Sequence, residues 1–552
     1  MLLQTAQTDS LKVRVGSWNV ATKSLQEKDR HLLDLTHWLS ASSTEKHAPS
    51  VCPTQSMQDT CDSPDIVVVG FQELLHQGNA ALLSGVQYSH WTAIHPHHSV
   101  DSSIPTGPPD RRYGSAHIDG LEPWIWMVLD ALSKTHGPRV DGDAATPTDQ
   151  DSHQLAHHPY RVVCAGRHTA IGIAVFVRHH LAITRIGWGS VGTGLAGCYG
   201  NKGSAAVSID VVSTKGKIHS LCFMDCHLGA HEGEGRCIWR NQEMSSILET
   251  LVMEDIYICS DMRTTRKDLS SLSDDLPDNK GVVHVGPILP RRVRMAGDHD
   301  ALWLFGDLNY RLMGTKINGG RWGIDAGVVI EKPQRCNVLE LVRCRDIAGL
   351  LQMDEVSFLR HHRHGAMGLL DEQPIHFLPT YKFNMGSHGE WQSLIGHGKE
   401  GSSRPLQPSC RLSTDGAPAD ISSSFSKKRL PAYCDRILHA GRGVSGKGYW
   451  SKHEYSFSDH VPVCADYHVM ACEESLPKPV FLGYLTNDDA NGHGGRSRHR
   501  YQLGQDATWS VSLRCRILWR RAQRIERVNR HWAGLVMLAV GIRFLYQMYI
   551  GR

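Results

Sequence analysis

Two side chains that can hold a metal ion or a water molecule follow one apolar run. The stretch "LWLFGDLNYRL" (302–312) turns at Gly306 and then presents Asp307 and Asn309, two residues apart. Asp and Asn are also common in turns for purely local hydrogen-bonding reasons. This stretch alone is therefore equally consistent with an ordinary turn and with a functional site.

Other strand-like runs are also flanked by polar residues that could be ligands. A lone polar residue at the end of a strand is usually solvated, but several on separate strands can meet at one edge of a layered sheet. Carboxylate and carboxamide oxygens in such a place form a hard site that suits Mg²⁺. The residues in question are Asn19, Glu73, His227, Asp435, Asp459 and His460.

The elements that must position these residues alternate between strand and helix. Two segments, 27–39 and 237–251, carry apolar residues at helical spacing. Strands interleaved with helices predict a layered α/β sandwich. The strand-like runs are 11–21, 65–73, 169–178, 204–212, 217–225 and 301–307.

Four stretches interrupt this pattern and are rich in Ser, Gly, Pro, Asp and His. We interpret them as loop insertions in one catalytic domain that spans 11–470, followed by a polar linker at 471–513. The insertions lie near 40–63, 98–158, 258–298 and 392–427.

Composition limits the class of protein. Of 552 residues, 41% are hydrophobic and 21% charged, as in a globular protein, and a net charge of +3 argues against general nucleic-acid binding. The 15 cysteines form no CxxC pair, and the first ten residues do not resemble a signal peptide. These features predict a reduced, cytoplasmic compartment.

The C-terminal tail, 514–552, differs from the rest. Residues 514–530 carry seven arginines against Glu526 alone, and a mostly apolar run follows from Trp532 to Ile550. A basic segment before an apolar run suits attachment to an anionic membrane on its cytosolic face. Arg543 within the run disfavours full spanning, and a helix packed on the domain is the alternative.

Eight segments, in this order, resemble the inositol polyphosphate 5-phosphatases of the endonuclease/exonuclease/phosphatase superfamily. They cover roughly 11–468, and the combination of "GNKG", "GDLNYR" and "PAYCDRIL" is similar to the phosphoinositide branch. The resemblance implies a four-layer α/β/β/α sandwich, the DNase I-like fold, and Mg²⁺ as cofactor. The segments are "WNVAT", "PDIVVVGFQEL", "GTGLAGCYGNKGSAAVSI", "CHLGAHEGEGRCIWRNQE", "LFGDLNYRL", "PTYKF", "KKRLPAYCDRIL" and "SDHVPV".

The resemblance also implies roles for individual residues. Mg²⁺ would be bound by Glu73, with Asn19 and Asp459 beside it. Asp307 would hold and deprotonate the attacking water, and Asn309 would orient that water. His460 would bind the scissile phosphate, and Asp435 would fix the tautomer of His460. His227 and Asn201 would contact the phosphoryl oxygens.

Selectivity for an inositol ring would come from cations that reach its other phosphates. By resemblance these are Lys382, with Tyr381 beside it, and Lys427 and Arg429; Lys202 and Arg436 are grouped with them as substrate-binding residues. Three positions depart from the family pattern: Asp225 replaces Asn, Tyr433 replaces Trp, and His439 replaces Trp. An extra carboxylate at 225 would weaken phosphate binding or move the metal.

The sequence thus predicts a Mg²⁺-dependent phosphatase, a phosphoric monoester hydrolase acting on the 5-phosphate of membrane phosphoinositides. A nuclease or sphingomyelinase of the same superfamily is one alternative, although it leaves Lys382, Lys427 and Arg429 unexplained. A non-catalytic phosphoinositide-binding scaffold is another.

Overall fold

The computed structural model describes fifteen parts of the chain. All of these residues but Gly194 belong to one compact unit, 1–193 with 200–490; the other unit is 194–199 with 491–552. The described residues are 10–21, 33–40, 63–74, 88–91, 120–136, 158–194, 200–213, 215–258, 293–313, 333–363, 365–384, 424–441, 443–453, 455 and 457–470.

Strands in the described residues build two sheets. The first has the order β14-β15-β1-β2-β5-β4-β3, and the second the order β10-β9-β6-β7-β8-β11-β13-β12. In chain order the strands are β1 Ser10–Asn19, β2 Ile66–Gln72, β3 Tyr88–Trp91, β4 Tyr160–His168, β5 Ile171–Arg178, β6 Ala182–Gly192, β7 Gly203–Val212, β8 Ile218–His227, β9 Val252–Ile258, β10 Val293–Met295, β11 Ala301–Asp307, β12 Asp371–Glu372, β13 Asp435–Gly441, β14 Val444–Ser451 and β15 Val463–Met470.

The central strands are apolar on both faces because both faces are covered. In β2 every residue is buried: Val68 joins the core between the sheets, whereas Val67 and Val69 join the cluster on the outer face. The sheets approach so closely at Gly70 that a Cβ there would lie 2.6 Å from Asp225 and Phe305 side-chain atoms. Continuous apolar strands are what such two-sided burial requires.

Helices cover the outer faces of the two sheets. Trp124 of the helix Glu122–His136 packs in the cluster outside the first sheet, and Met244 of the helix Glu234–Thr250 packs outside the second. The four-layer α/β/β/α sandwich is therefore confirmed. The other α-helices of the described residues are Thr36–Leu39, Arg335–Arg343, Ile347–Gln352 and Glu355–His361, and short 3₁₀ turns occupy Ala296–Asp298 and Ala366–Leu369.

Four sequence predictions need correction or fall outside the described residues. The helix predicted at 27–39 is wrong for Leu33–Leu35, because only Thr36–Leu39 is helical. The loop interpretation of 98–158 is wrong for Glu122–His136, a 15-residue helix whose apolar face covers the first sheet, and β10 lies within the stretch interpreted as the 258–298 loop. The linker and tail at 471–552 lie outside the described residues.

Within the described part of the chain, no helix is long and apolar enough to cross a membrane. The eight cysteines found there are free thiols.

Candidate active site

The strand register brings the polar strand ends together. In the second sheet Asp307, the last residue of β11, lies opposite His227 of β8 and opposite Asp435 of β13. In the first sheet Asn19, the last residue of β1, lies opposite Gln72, so that Glu73 follows at the same edge. Because the ends of neighbouring strands share one edge, the candidate residues from both sheets converge there.

Asp307 is the centre of this cluster and is 1% exposed. Its Oδ2 accepts a hydrogen bond from Asn19 Nδ2 at 2.8 Å and lies 3.3 Å from His227 Nε2 and 3.8 Å from His460 Nε2. Burial works to raise the pKa of Asp307, but the charges of His460 and His227 hold it well below its usual value. Asp307 is therefore a carboxylate throughout the physiological pH range.

His460 bridges two carboxylates. Its Nδ1 lies 2.9 Å from Asp435 Oδ2, and that oxygen also accepts a 2.7 Å hydrogen bond from Thr380 Oγ1. Burial alone would lower the pKa of His460, but Asp435 and Asp307 raise it to about 9. The imidazole consequently carries a positive charge at neutral pH and presents Nε2 on the Asp307 side.

Glu73 supplies a carboxylate that can bind a cation. It is in a left-handed conformation, with φ of 56°, which is costly for a residue other than glycine. Its Oε1 lies 3.8 Å from His227 Nε2, and since Asp307 Oδ2 approaches the same nitrogen, the two carboxylates are less than a nanometre apart. No hydrogen-bond donor among the described residues is seen at Glu73, which leaves its oxygens available.

A divalent metal ion fits this oxygen-rich edge, and Glu73, Asp307 and Asn19 are the residues that suit it. Asp307, Asp435 and His460 also have donor atoms within 4.8 Å of one another. A metal between those three would have to break the His460–Asp435–Thr380 hydrogen bonds, so we favour the Glu73 side of the cluster. The chemistry of the donors, carboxylate and amide oxygens, is that of a Mg²⁺ or Ca²⁺ site.

Asp459 is the third metal ligand predicted from sequence, and in the structure it forms an ion pair with Lys382. Its Oδ2 lies 2.5 Å from Lys382 Nζ. Burial would raise the pKa of Asp459, but His460 and Lys382 hold it below its ordinary value. A role for this carboxylate at the metal stays a prediction.

His227 and the "GNKG" turn meet at the same edge. The ammonium of Lys202 contacts Nε2 of His227. Burial lowers the pKa of His227, and Lys202 adds to this effect. Asn201 Oδ1 is buried and has no hydrogen-bond partner among the described residues. Lys202 and His227 therefore lie beside the carboxylates of Glu73 and Asp307, where a phosphate could join them.

Asn309 is held from two sides. Its Nδ2 donates to Leu228 O at 3.1 Å, and its Oδ1 accepts a hydrogen bond from Arg311 Nη2. Its backbone N–H donates to Asp307 Oδ1 at 3.0 Å, and its φ is 57°. The turn that "GDLN" predicted is thus a strained turn fixed against Asp307. The amide of Asn309 must exchange one of these bonds if it is to orient a water.

The cationic residues predicted to bind the additional phosphates of an inositol ring, Lys382, Lys427 and Arg429, lie on two segments that are hydrogen-bonded to each other. Ser426 N donates to Lys382 O at 2.7 Å, which joins the 424–429 segment to Lys382. Lys427 is exposed and Arg429 half-buried. Tyr381, next to Lys382, packs its ring 4.6 Å from that of His460. The structure therefore brings Tyr381 and Lys382 to the side of the cluster where His460 lies, and the Ser426 hydrogen bond joins the segment of Lys427 and Arg429 to Lys382.

Sequence comparison decides the family. Residues 16–393 and 416–466 match the family described as Endonuclease/Exonuclease/phosphatase family 2. The chain belongs to this family. The fold and the superfamily that the motifs predicted are thereby confirmed.

Curated relatives of this family member carry the predicted name. Type I inositol polyphosphate 5-phosphatase 8 of Arabidopsis thaliana is 25% identical over 472 residues, which cover 82% of this chain and 69% of the relative. Type I inositol polyphosphate 5-phosphatase 5 of the same plant is 27% identical over 324 residues, 58% of this chain and 46% of the relative. The predicted resemblance, and with it a phosphoric monoester hydrolase, is confirmed.

A solved structure is similar in outline. The inositol polyphosphate 5-phosphatase domain of SPsynaptojanin, in complex with inositol (1,4)-bisphosphate and calcium ion, is 18% identical with a TM-score of 0.43. The match covers 87% of this chain and 91% of that domain.

Arg436 does not belong to the substrate site of this family member, contrary to the sequence prediction. Its guanidinium is 0% exposed and donates to Glu372 at 2.7 and 2.6 Å and to Asp354 at 2.7 Å. Asp435 and Arg436 are neighbours in β13, so their side chains point to opposite faces of the sheet. Asp435 faces the site, and Arg436 is a structural ion pair.

Asp225 does not place an extra charge at the phosphate site. It is completely buried beneath the site, where one carboxylate oxygen accepts a 2.6 Å hydrogen bond from Gln72 Nε2 and the other has no partner among the described residues. Burial raises the pKa of Asp225 well above its usual value. Burial therefore favours the protonated form of Asp225, at the position where the family has an amide.

The other two departures are also packed away from the site. The Tyr433 hydroxyl donates to Phe377 O at 3.1 Å, and the His439 ring lies 5.0 Å from that of Tyr467. Arg240 donates to Gly229 O and His231 O and so braces the loop that follows His227.

Sequence reasoning missed several residues that shape the site. Arg311 places its guanidinium carbon 4.3 Å from the Tyr381 ring centre while it holds Asn309. Ser458 accepts from the His460 backbone N–H and donates to Asn19 O at 2.6 Å. Arg311 and Ser458 lie inside quoted motifs, "GDLNYRL" and "SDHVPV", and their place within those motifs was the signal that could have found them.

Proposed function

We propose that this chain is a Mg²⁺-dependent phosphoinositide 5-phosphatase, which hydrolyses the 5-phosphate of PtdIns(4,5)P₂ and PtdIns(3,4,5)P₃ and of soluble inositol polyphosphates. The observation that carries the proposal is the convergence of the Asp307 turn, the His460–Asp435 pair and the Lys382 segment at one edge. The names of the relatives support the same substrate class.

The chain's own residues provide the acid–base and electrostatic parts of the reaction. Asp307, ionised and in contact with Asn19 and His227, would accept a hydrogen bond and then the proton from the attacking water. Protonated His460 would donate from Nε2 to a phosphoryl oxygen while Asp435 fixes the ring. Lys202 adds a positive charge on the His227 side, which opposes the developing negative charge.

Glu73 and Asn19 would hold the divalent ion together with Asp307. When bound, Mg²⁺ would polarise the scissile P–O bond and neutralise charge on the phosphoryl oxygens. The strained backbone of Glu73 agrees with a side chain held in place for a ligand.

The additional phosphates of the inositol ring would be bound by Lys382, Lys427 and Arg429. The Lys382 ammonium pairs with Asp459 in the described structure, so an incoming phosphate would compete with that carboxylate. This arrangement favours a polyphosphorylated ring over DNA or sphingomyelin, because neither of those presents a phosphate next to the scissile one on a six-membered ring.

We also propose that residues 514–552 attach the enzyme to the cytosolic face of a membrane, where phosphoinositides reside. The support is the basic segment 514–530 followed by the apolar run to Ile550.

Phosphate release from a panel of phosphoinositides and inositol phosphates, with Mg²⁺ or with EDTA, tests the proposal. We expect release only from substrates with a 5-phosphate and only with the metal ion. Plasmid nicking without phosphoinositide turnover would instead favour the nuclease, and binding without turnover would favour the scaffold. Asp307→Ala is the matched inactive control.

A further inference from the structure

Arg335 contacts the segment that carries Lys427 and Arg429. It is the first residue of the helix Arg335–Arg343. Its Nη1 donates to Arg429 O at 2.7 Å, and its Nη2 donates to Ser426 O at 2.7 Å. These two carbonyls bracket Lys427 and Lys428. A single guanidinium therefore closes the ends of the turn on which Lys427 is displayed.

Arg335 does not stabilise its own helix from the position at which it stands. A cation in the first turn of a helix is unfavourable, because the N-terminal end of the helix dipole is positive. The helix is anchored independently, since Val338 and Val342 are fully buried in a hydrophobic cluster that continues into the core. The contacts of Arg335 thus serve the neighbouring segment, and the helix is the rigid support from which they are made.

The held segment is also tied to Lys382. Ser426 N donates to Lys382 O at 2.7 Å, and Asn384 N donates to Ser424 O at 2.8 Å. The rings of Phe383 and Phe425 pack 4.3 Å apart. Lys427 and Arg429 have no acidic partner among the described residues, so hydrogen bonds of the backbone must fix their positions.

We propose that Arg335 is a positioning residue for substrate selectivity, which holds Lys427 and Arg429 where they meet a phosphate next to the scissile one on an inositol ring. The inference rests on the proposed function. It deepens that function, since it assigns recognition of the neighbouring phosphate to a residue that does not touch substrate. Arg335 differs from Lys in this role, because its planar guanidinium presents two N–H groups in a rigid fork, whereas the Lys ammonium is a compact charge on a flexible stem.

The experiment measures phosphate release by the full chain from two water-soluble, short-chain probes, phosphatidylinositol 4,5-bisphosphate and phosphatidylinositol 5-phosphate. For Arg335→Gln we expect KM for the bisphosphate to rise about tenfold, with kcat within about twofold and the KM for the monophosphate unchanged. Arg335→Lys should give an intermediate rise. Arg343→Gln, which removes an exposed charge from the same helix, should match the wild type on both probes.

A double mutant separates positioning from general damage. If Arg335 acts through Lys427 and Arg429, Arg335→Gln combined with Lys427→Ala should raise the bisphosphate KM by less than the product of the two separate effects. Thermal unfolding verifies that each variant is folded, and if Arg335→Gln does not fold, Arg335→Lys takes its place in the cycle.

Three results would overturn the inference: an equal loss on both probes, no change on the bisphosphate in a folded variant, or additive effects in the double mutant. If the wild type releases phosphate from neither probe, the proposed function itself fails and the role of Arg335 falls with it. If the wild type is active but Arg335→Gln changes the KM for both probes equally, only the positioning role is overturned.

Discussion

Arg436 and Arg429 are seven residues apart and should respond to substitution in opposite ways. The substitution Arg436→Met keeps a long apolar side chain and removes the guanidinium. It leaves the carboxylates of Asp354 and Glu372 facing each other in a site that is closed to solvent. We expect a loss of stability with little change in substrate affinity.

The size of this loss follows from the contacts. Removing one partner of a buried ion pair costs about 3–5 kcal/mol, because an uncompensated charge is left in the interior. Part of the charge stays neutralised: Arg360 Nη1 lies 3.3 Å from Glu372, and Asp354 still accepts from Ser357 N at 2.8 Å. We therefore expect the lower end, about 3 kcal/mol, which is a large share of the ~5–15 kcal/mol that stabilises a typical domain.

Urea unfolding followed by tryptophan fluorescence measures the loss, and phosphate release measures KM at a temperature where both proteins are folded. Arg429→Ala is the matched comparison, for which we expect a raised KM and an unfolding midpoint close to that of the wild type. The triple variant Arg436→Met/Asp354→Asn/Glu372→Gln should recover part of the stability, because it removes the orphaned charges.

The structural assignment of Arg436 would be refuted by a normal unfolding midpoint together with a raised KM in Arg436→Met. That result would return Arg436 to the substrate site, as the sequence predicted. Loss of stability with an unchanged KM supports the buried ion pair.

Three further predictions concern catalysis, pH and the tail. Asp307→Asn should lower kcat at least ~100-fold with an unchanged unfolding midpoint, as measured by phosphate release and urea unfolding; near-normal turnover would contradict the role of Asp307. Because burial raises the pKa of Asp225, the folded protein keeps a proton that the unfolded chain releases above about pH 4. The contribution of Asp225 to the free energy of unfolding is present below that pH and is lost as the pH rises toward the folded-state pKa. Asp225→Asn should therefore be more stable than the wild type at pH 7 and equal to it at pH 3. A difference in unfolding free energy that does not change with pH would count against a neutral Asp225. Deletion of 514–552 should move the protein from anionic vesicles to the supernatant in a sedimentation assay and spare turnover of soluble inositol phosphates; a truncated chain that still sediments would remove the anchor from the tail.

Much of the site was predictable because its residues have short-range signatures. Asp307 and Asn309 follow an apolar run and a glycine, and Gly306 in fact has φ of 128°, with a Cβ position only 2.0 Å from Cys226 O. Glu73 likewise follows an apolar strand that is covered on both faces, whereas Asn19 ends a strand in which apolar and polar residues alternate. These local patterns depend on neighbours in the chain, so the sequence contains them in full.

The helix Glu122–His136 was missed for the opposite reason. Its flanks, within 98–158, are rich in Ser, Gly, Pro and Asp, and that composition dominated the window in which it lies. What stabilises the helix is the burial of Trp124, Val128 and Leu132 on the first sheet. That contact joins segments distant in sequence, and the local pattern does not contain it.

The sequence by itself determined the family, the two-sheet architecture and the set of residue types available for phosphate chemistry. Only the tertiary structure decided which members of that set meet at the Asp307 cluster. Alternation along β13 turns Asp435 toward His460 and Arg436 toward Asp354 and Glu372. The tertiary structure also brings Arg335 to the Lys427 turn, which lies about ninety residues further along the chain. Side-chain direction and long-range hydrogen bonds are set by the packing of the whole sheet, and for that reason motif spacing could name these arginines without assigning their roles.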